Sequence, residues 1–297
     1  MFKSGFIGIV GRPNVGKSTL LNALMGEKLA IATHKPQTTR NRIMGIKNVP
    51  DGQMIFLDTP GIHKTSSPLN RSMVKTAVET FGNADLLLLL VEANTGVHKE
   101  DLFIIKSLEN SRLPVILIIN KIDLIEKTCL LPLIDQFRQL YHFIDIIPLS
   151  ALKGDGVSIL LDAVYRLLPE GPAFFPEDMI TDRSERFIAA EIIREKIILL
   201  THQEIPYVTA VMVDAFKEDE QKNLIHVQAT IHVEKASQKG IIIGKKGAML
   251  KQIGMAARKD LEIFFAAGIF LELFVRVQKD WTHDNKMLEE FGYIGKS

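Results

Sequence analysis

A single cysteine, Cys129, stands in this chain of 297 residues. No intrachain disulfide can form, the chain suits a reducing compartment, and the thiol is expected as a small buried hydrophobe. Long apolar runs are equally scarce: the longest, Leu86 to Val91, is far too short to cross a bilayer. Met1-Phe2-Lys3-Ser4-Gly5 leads straight into a strand pattern, so no signal peptide is expected ahead of the fold and the expectation is a soluble, cytoplasmic protein. Net charge is only +1, so a nucleic-acid partner must be read from local clustering and not from the whole. The eight histidines lack metal-ligand spacing, and His226 and His232, on one expected strand, read as structural. No internal repeat is present.

What is there is enough chain for two domains of about 150 residues each, with an apolar content of 46% that lets both bury a core. From Phe6 to about Leu168 short apolar runs alternate with helix-like stretches, the pattern of an α/β domain with a mostly parallel sheet and helices on both faces. Its clearest strands are Met54 to Leu57, Asp85 to Val91, Val115 to Ile119 and Ile144 to Ile147, apolar without alternation and so expected to be buried on both faces. In such sheets ligands bind beyond the carboxyl ends of the strands.

Four segments lie at such ends. Gly11-Arg12-Pro13-Asn14-Val15-Gly16-Lys17-Ser18-Thr19 follows the run Phe6 to Val10, precedes the helical run Leu20 to Leu24, and fits the phosphate-loop pattern GxxxxGK[ST]. Its glycines let backbone N–H groups turn around a triphosphate, with the helix N-terminus behind them. Lys17 would reach the β and γ phosphates, and the Ser18 hydroxyl would ligate Mg²⁺. Asp58-Thr59-Pro60-Gly61-Ile62 offers a carboxylate for Mg²⁺ and the Gly61 N–H for a γ-phosphate. In Asn120-Lys121-Ile122-Asp123, the Asp123 carboxylate can accept two hydrogen bonds from guanine, donors that adenine lacks. Ser150-Ala151-Leu152-Lys153 could turn backbone N–H groups toward the guanine O6.

In this order, each just past a strand, these segments resemble the translation-factor-like GTPases. The resemblance implies GTP and GDP as ligands. It places a first switch at His34 to Arg40, with Thr39 chosen over Thr38 as the Mg²⁺ ligand, and a second switch from Gly61 to about Leu69. Lys17, Thr39 and Gly61 then serve catalysis, and Ser18, Thr39 and Asp58 the metal. Where Ras-like enzymes have a water-positioning Gln, this chain has Ile62, which cannot orient water. That resembles a subgroup with slow intrinsic hydrolysis in which an Asn at the position of Asn14 helps to bind K⁺.

Pro169 to Glu177 stops the last helix of this half and reads as a linker, whose Phe174 and Phe175 are expected to pack on a domain surface. The expected division is a GTPase domain over 1–170, a linker over 171–182 and a smaller α+β domain over 183–297. The second domain should open with a helix from about Ser184 to Thr201, capped by Ser184 or Asp182. Strands Tyr207 to Ala215 and Ile225 to Val233 follow, joined by the acidic turn Lys217 to Asn223. Between two further helical stretches lies Lys239-Gly240-Ile241-Ile242-Ile243-Gly244-Lys245-Lys246-Gly247. From Lys235 to Lys259 there are seven basic residues, Lys251 among them, and no acid. The last helix would run to about Phe265 and a strand from Ile269 to Val277, with Trp281, Phe291 and Tyr293 as packing residues.

Gly-x-x-Gly with central lysines and preceding aliphatics resembles the loop by which KH domains clamp single-stranded RNA, and the element order resembles a type II KH domain. The resemblance assigns RNA contact to Lys239, Ile241, Ile243, Gly244, Lys245, Lys246, Gly247 and Lys251. The GTPase half, the proline-rich linker and the KH half together resemble the Era family of bacterial GTPases over essentially the whole chain. Membership implies binding to the 3′ end of 16S ribosomal RNA and to the 30S subunit during assembly and rRNA processing. It also implies a monomer with peripheral association at the inner membrane. The rival readings are an RNA-binding adaptor whose nucleotide site is only structural, and a GTPase acting on tRNA or a membrane.

Overall fold

The computed structural model describes residues 1–33, 35, 38–59, 61, 82, 84–109 and 111–293. Pro60, Ile62 and the second switch beyond Gly61 therefore lie outside the described residues. The described chain forms two compact units, one up to residue 182 and one from 183 onward.

The first unit is built on strands β1 (Lys3–Val10), β2 (Ile43–Val49), β3 (Gly52–Asp58), β4 (Leu86–Glu92), β5 (Val115–Asn120) and β6 (Asp145–Pro148), in the spatial order β2-β3-β1-β4-β5-β6. All neighbours are parallel except β2 and β3. Every residue of β3, β4 and β5 is buried, as unalternated apolar runs between helical layers must be. Among the described residues its α-helices are α1 (Lys17–Met25), α2 (Lys99–Leu108), α3 (Leu130–Leu140) and α4 (Val157–Leu167). Strand β2 has no place in the sequence reading, because Gly45 and Lys47-Asn48 interrupt its apolar pattern. Its burial is supplied from outside: Met44 and Ile46 pack with Ile55 and Leu57 of β3 and with Phe175 and Met179. Gly45 leaves room for α1, since a Cβ there would lie 2.9 Å from Leu21.

The linker packs on this unit, as its phenylalanines require. The ring of Phe174 lies 5.0 Å from that of Phe6. The wholly buried Gln53 accepts the N–H groups of Phe174 at 2.8 Å and Phe175 at 3.0 Å, and donates to the Phe175 carbonyl at 2.8 Å. Cys129 corrects the sequence expectation, for it is exposed. It closes a turn just ahead of α3, outside the apolar stripe of Leu133 and Phe137 that carries that helix into the core.

The second unit runs α5 (Glu185–Leu200), the single turn α6 (Ile205–Val208), β7 (Ala210–Asp219), β8 (Leu224–Val233), α7 (Ala236–Ile243), α8 (Ala248–Phe265), β9 (Gly268–Val277) and α9 (Asn285–Glu290). The sheet order is β7-β8-β9, with β7 antiparallel and β9 parallel to β8. Ser184 caps α5 by accepting the Phe187 N–H at 3.3 Å. The first strand begins later than its apolar pattern suggests, because Pro206 at the start of α6 draws Tyr207 and Val208 into a turn. It also runs further, through Lys217 to Asp219, leaving a turn of Glu220 to Lys222 that ends on Asn223 in the left-handed region. Trp281 is wholly buried and stacks on the buried Tyr293 at 5.7 Å, so both are packing residues. Among the described residues no helix is long and apolar enough to cross a membrane.

Candidate nucleotide site and nucleic-acid interface

Strand β1 delivers Gly11 to Gly16 at its carboxyl end, and α1 begins at Lys17. Gly16 has φ 102°, and a side chain there would collide with the Asn120 amide; Asn14 is itself left-handed at φ 66°. The Lys17 ammonium donates to the carbonyls of Gly11 at 3.0 Å and Arg12 at 2.9 Å. Burial pulls its pKa down to about 8, with Asp58 acting against the shift and Arg12 adding to it.

Three oxygens meet beside it. Ser18 Oγ lies 2.7 Å from Thr39 Oγ1 and donates to Asp58 Oδ2 at 2.7 Å, while Thr39 Oγ1 reaches the same carboxylate at 3.5 Å. Thr38 points elsewhere, to the Lys35 carbonyl at 2.6 Å. Geometry thus separates two threonines that are adjacent in sequence. Burial pushes Asp58 up to about 6, opposed by Lys17 and by the hydroxyls of Ser18 and Thr39. Its other oxygen, Oδ1, is buried with no partner. A hard divalent cation takes oxygen ligands, and two hydroxyls with a half-satisfied buried carboxylate fit Mg²⁺. When bound, that ion neutralises charge developing on a transferred phosphoryl group. Thr59 faces inward and donates to the Ile9 carbonyl at 2.9 Å. Gly61 passes so close to the phosphate loop that a Cβ would lie 2.8 Å from Pro13.

Strand β5 brings Asn120 and Lys121 alongside. The Asn120 amide donates to the Val15 carbonyl at 2.8 Å and accepts the Ala151 N–H at 3.0 Å. Lys121, left-handed at φ 65°, donates to the Asn14 carbonyl at 2.8 Å. Asp123 sits exposed in the turn Ile122–Leu124, open to a ligand. Ser150 is buried and its Oγ accepts the Lys153 N–H at 3.2 Å, whereas Leu152 is exposed. The Ala151 N–H, among the donors expected for a guanine O6, is thus taken up by Asn120. Arg12 turns its guanidinium onto Glu92 at 2.7 Å and Thr95 at 2.7 Å, partners that no motif announces.

In the second unit, Gly244 (φ 71°, ψ 176°) ends α7, Lys246 is left-handed at φ 52°, and Gly247 (φ 80°) opens α8. Lys245 and Lys246 are exposed at the tip, Ile241 is exposed and Ile243 half-buried. Beside the loop runs a groove whose α8 wall carries Leu250, Lys251, Gly254, Met255 and Arg258, and whose far wall is Leu271 and Leu273 of β9. The sequence reading misses Leu271 and Leu273 because they read only as strand core. Lys239 stands on α7, and Gly247 and Lys251 line the groove itself.

Fold and site together define a P-loop GTPase domain joined to a KH domain. A family model described as a 50S ribosome-binding GTPase matches residues 6–121, and a KH-domain model matches residues 204–282. The chain is 69% identical to GTPase Era of Syntrophus aciditrophicus, over 99% of this chain and 96% of that one. With GTPase Era of Geobacter metallireducens it shares 56% identity over 98% of both. This chain belongs to the Era family of GTPases. Among solved structures, Era in complex with MgGDPNP and nucleotides 1506–1542 of 16S ribosomal RNA superposes with a TM-score of 0.94, at 42% identity over 99% of both chains. A single-residue variant of Aquifex aeolicus Era bound to GDP·AlF4⁻ gives the same score and identity over 98% of this chain and 99% of that one.

Proposed function

We propose that this protein binds and hydrolyses GTP with Mg²⁺ in its first unit and, according to nucleotide state, grips the 3′ end of 16S ribosomal RNA with the groove of its second. It thereby acts in assembly of the 30S subunit and in rRNA processing, as a monomer. The observation that carries the nucleotide reading is the meeting of Ser18 and Thr39 at one oxygen of the buried Asp58 carboxylate, whose other oxygen is buried with no partner. Lys17 then lies against the phosphates, Gly61 offers its N–H to the terminal one, and Asp123 reads the base. The RNA reading is supported by the basic Gly244 to Gly247 loop beside an apolar groove, and by the solved relative that holds a 16S segment.

Multiple-turnover phosphate release from GTP tests the first half; release no faster than one turnover leaves only an adaptor with a structural nucleotide. Crosslinking to an RNA of the 16S 3′ end tests the second, with Lys245 and Lys246 both replaced by Glu. Undiminished crosslinking by that variant overturns the clamp. Potassium assistance through Asn14 requires faster hydrolysis in K⁺ than in Na⁺ at equal ionic strength. We place the protein in the cytoplasm, with peripheral attachment at the inner membrane. Recovery of all the protein in the soluble fraction at low salt would remove the attachment.

A further inference from the structure

Strand β4 lies between β1 and β5, the two strands that feed the phosphate loop and the base-reading loop, and its last residue, Glu92, is paired in register with Asn120. Glu92 is buried, at 7% exposure. One of its oxygens accepts Arg12 Nη2 at 2.7 Å, and the other accepts the ammonium of Lys121. That same ammonium donates to the Asn14 carbonyl at 2.8 Å, and Arg12 Nη2 to Thr95 Oγ1 at 2.7 Å. Behind Arg12, its Nε lies 3.4 Å from Asp101, a wholly buried carboxylate that also accepts the His98 N–H at the start of α2. Two anions thus face two cations, and the three that are withdrawn from water, Glu92, Arg12 and Asp101, each have an opposite charge beside them, the condition under which buried charges are tolerated.

We propose that Glu92 is a positioning residue that fastens the phosphate loop to the base-reading loop, so that the two ends of a guanine nucleotide meet one rigid site. The proposal rests on the nucleotide-site reading above and adds to it a residue that touches no nucleotide. A carboxylate is required because it alone offers one anionic oxygen to each cation. An amide in its place accepts from one and turns an NH₂ toward the other, releasing either Arg12 or Lys121. Ser18, Thr39 and Asp58 lie outside this set of contacts, and Lys17 holds the backbone carbonyl of Arg12 and not its guanidinium, so turnover should change less than nucleotide release.

The test is the dissociation rate of a fluorescent GDP from the full chain, together with steady-state GTP hydrolysis. Glu92→Gln should release GDP about tenfold faster and raise KM for GTP by a similar factor, with kcat changed less than about threefold. Combined with Lys121→Ala it should add little to the effect of Lys121→Ala alone, because both substitutions break the same fastening. An unchanged dissociation rate, or effects that simply multiply, overturns the proposal. Should Glu92→Gln fail to fold, Arg12→Gln, which leaves Glu92 paired with Lys121, serves instead: dissociation about threefold faster or more is expected, and an unchanged rate is the overturning result. Failure of the wild-type chain to bind the fluorescent GDP at all would instead strike at the nucleotide site itself.

Discussion

Asp58 and Lys17 are buried together at the centre of the nucleotide site, and each is moved toward its neutral form. For Asp58 the sign is direct: a carboxyl whose folded pKa is raised from 3.8 to about 6 makes the fold less stable as pH rises through that window. The shift corresponds to about 3 kcal/mol at neutral pH. Without nucleotide, Asp58→Asn should therefore be more stable than wild type at pH 7, by up to that order, with the difference vanishing toward pH 4. Urea titrations at both pH values check this. The same variant should lose Mg²⁺-dependent turnover, since the binding form is the carboxylate. At the base, Asp123→Asn should exchange guanine for xanthine nucleotides in a competition assay, because the new amide NH₂ donates to the carbonyl that xanthine has in place of the guanine exocyclic amino group, while the amide oxygen still accepts the N1–H. Residues carrying a motif were legible at this scale, and their partners were not. Nothing in spacing brings Glu92 to Arg12, or distinguishes the hydroxyl of Thr39 from that of Thr38. Those facts follow from the strand order and from the path of the chain between α1 and β2.

At the scale of elements, the apolar strands β3, β4 and β5 could be read to within a residue or two, because burial on both faces forces an unbroken aliphatic run. Elements buried by borrowed surface could not: β2 depends on β3 and the linker, and the start of β7 yields to Pro206. The loop between α7 and α8 is the element on which RNA contact turns. Gly244 holds φ 71° with ψ 176°, and a Cβ there would lie 2.7 Å from that of Met249. Gly244→Ala should deform the loop, lowering RNA affinity about tenfold or more while GTP hydrolysis is unchanged, as filter binding and phosphate release would record. Ser184→Ala, which removes the cap of α5, should cost about 1 kcal/mol of stability in denaturant unfolding and leave both activities intact.

For the whole molecule, the proposal that nucleotide state sets RNA affinity is a coupling between two sites and must act in both directions. If a GTP analogue tightens RNA binding relative to GDP by some factor, typically about 5- to 150-fold, RNA must favour the analogue over GDP by the same factor. Titrating the full chain both ways at fixed salt checks the equality, and a factor of one in both directions removes the switch.

The anchored linker bears on how such a coupling can travel. Strand β2 is entered from the segment bearing Thr39, and its edge holds the chain beyond Phe175: the Ile46 N–H donates to the Ile180 carbonyl at 2.9 Å and the Asn48 amide to that of Glu177 at 2.7 Å. The strand that Thr39 leads into and the chain from Glu177 to Ile180 are thereby stitched edge to edge, so a shift of the one is shared by the other.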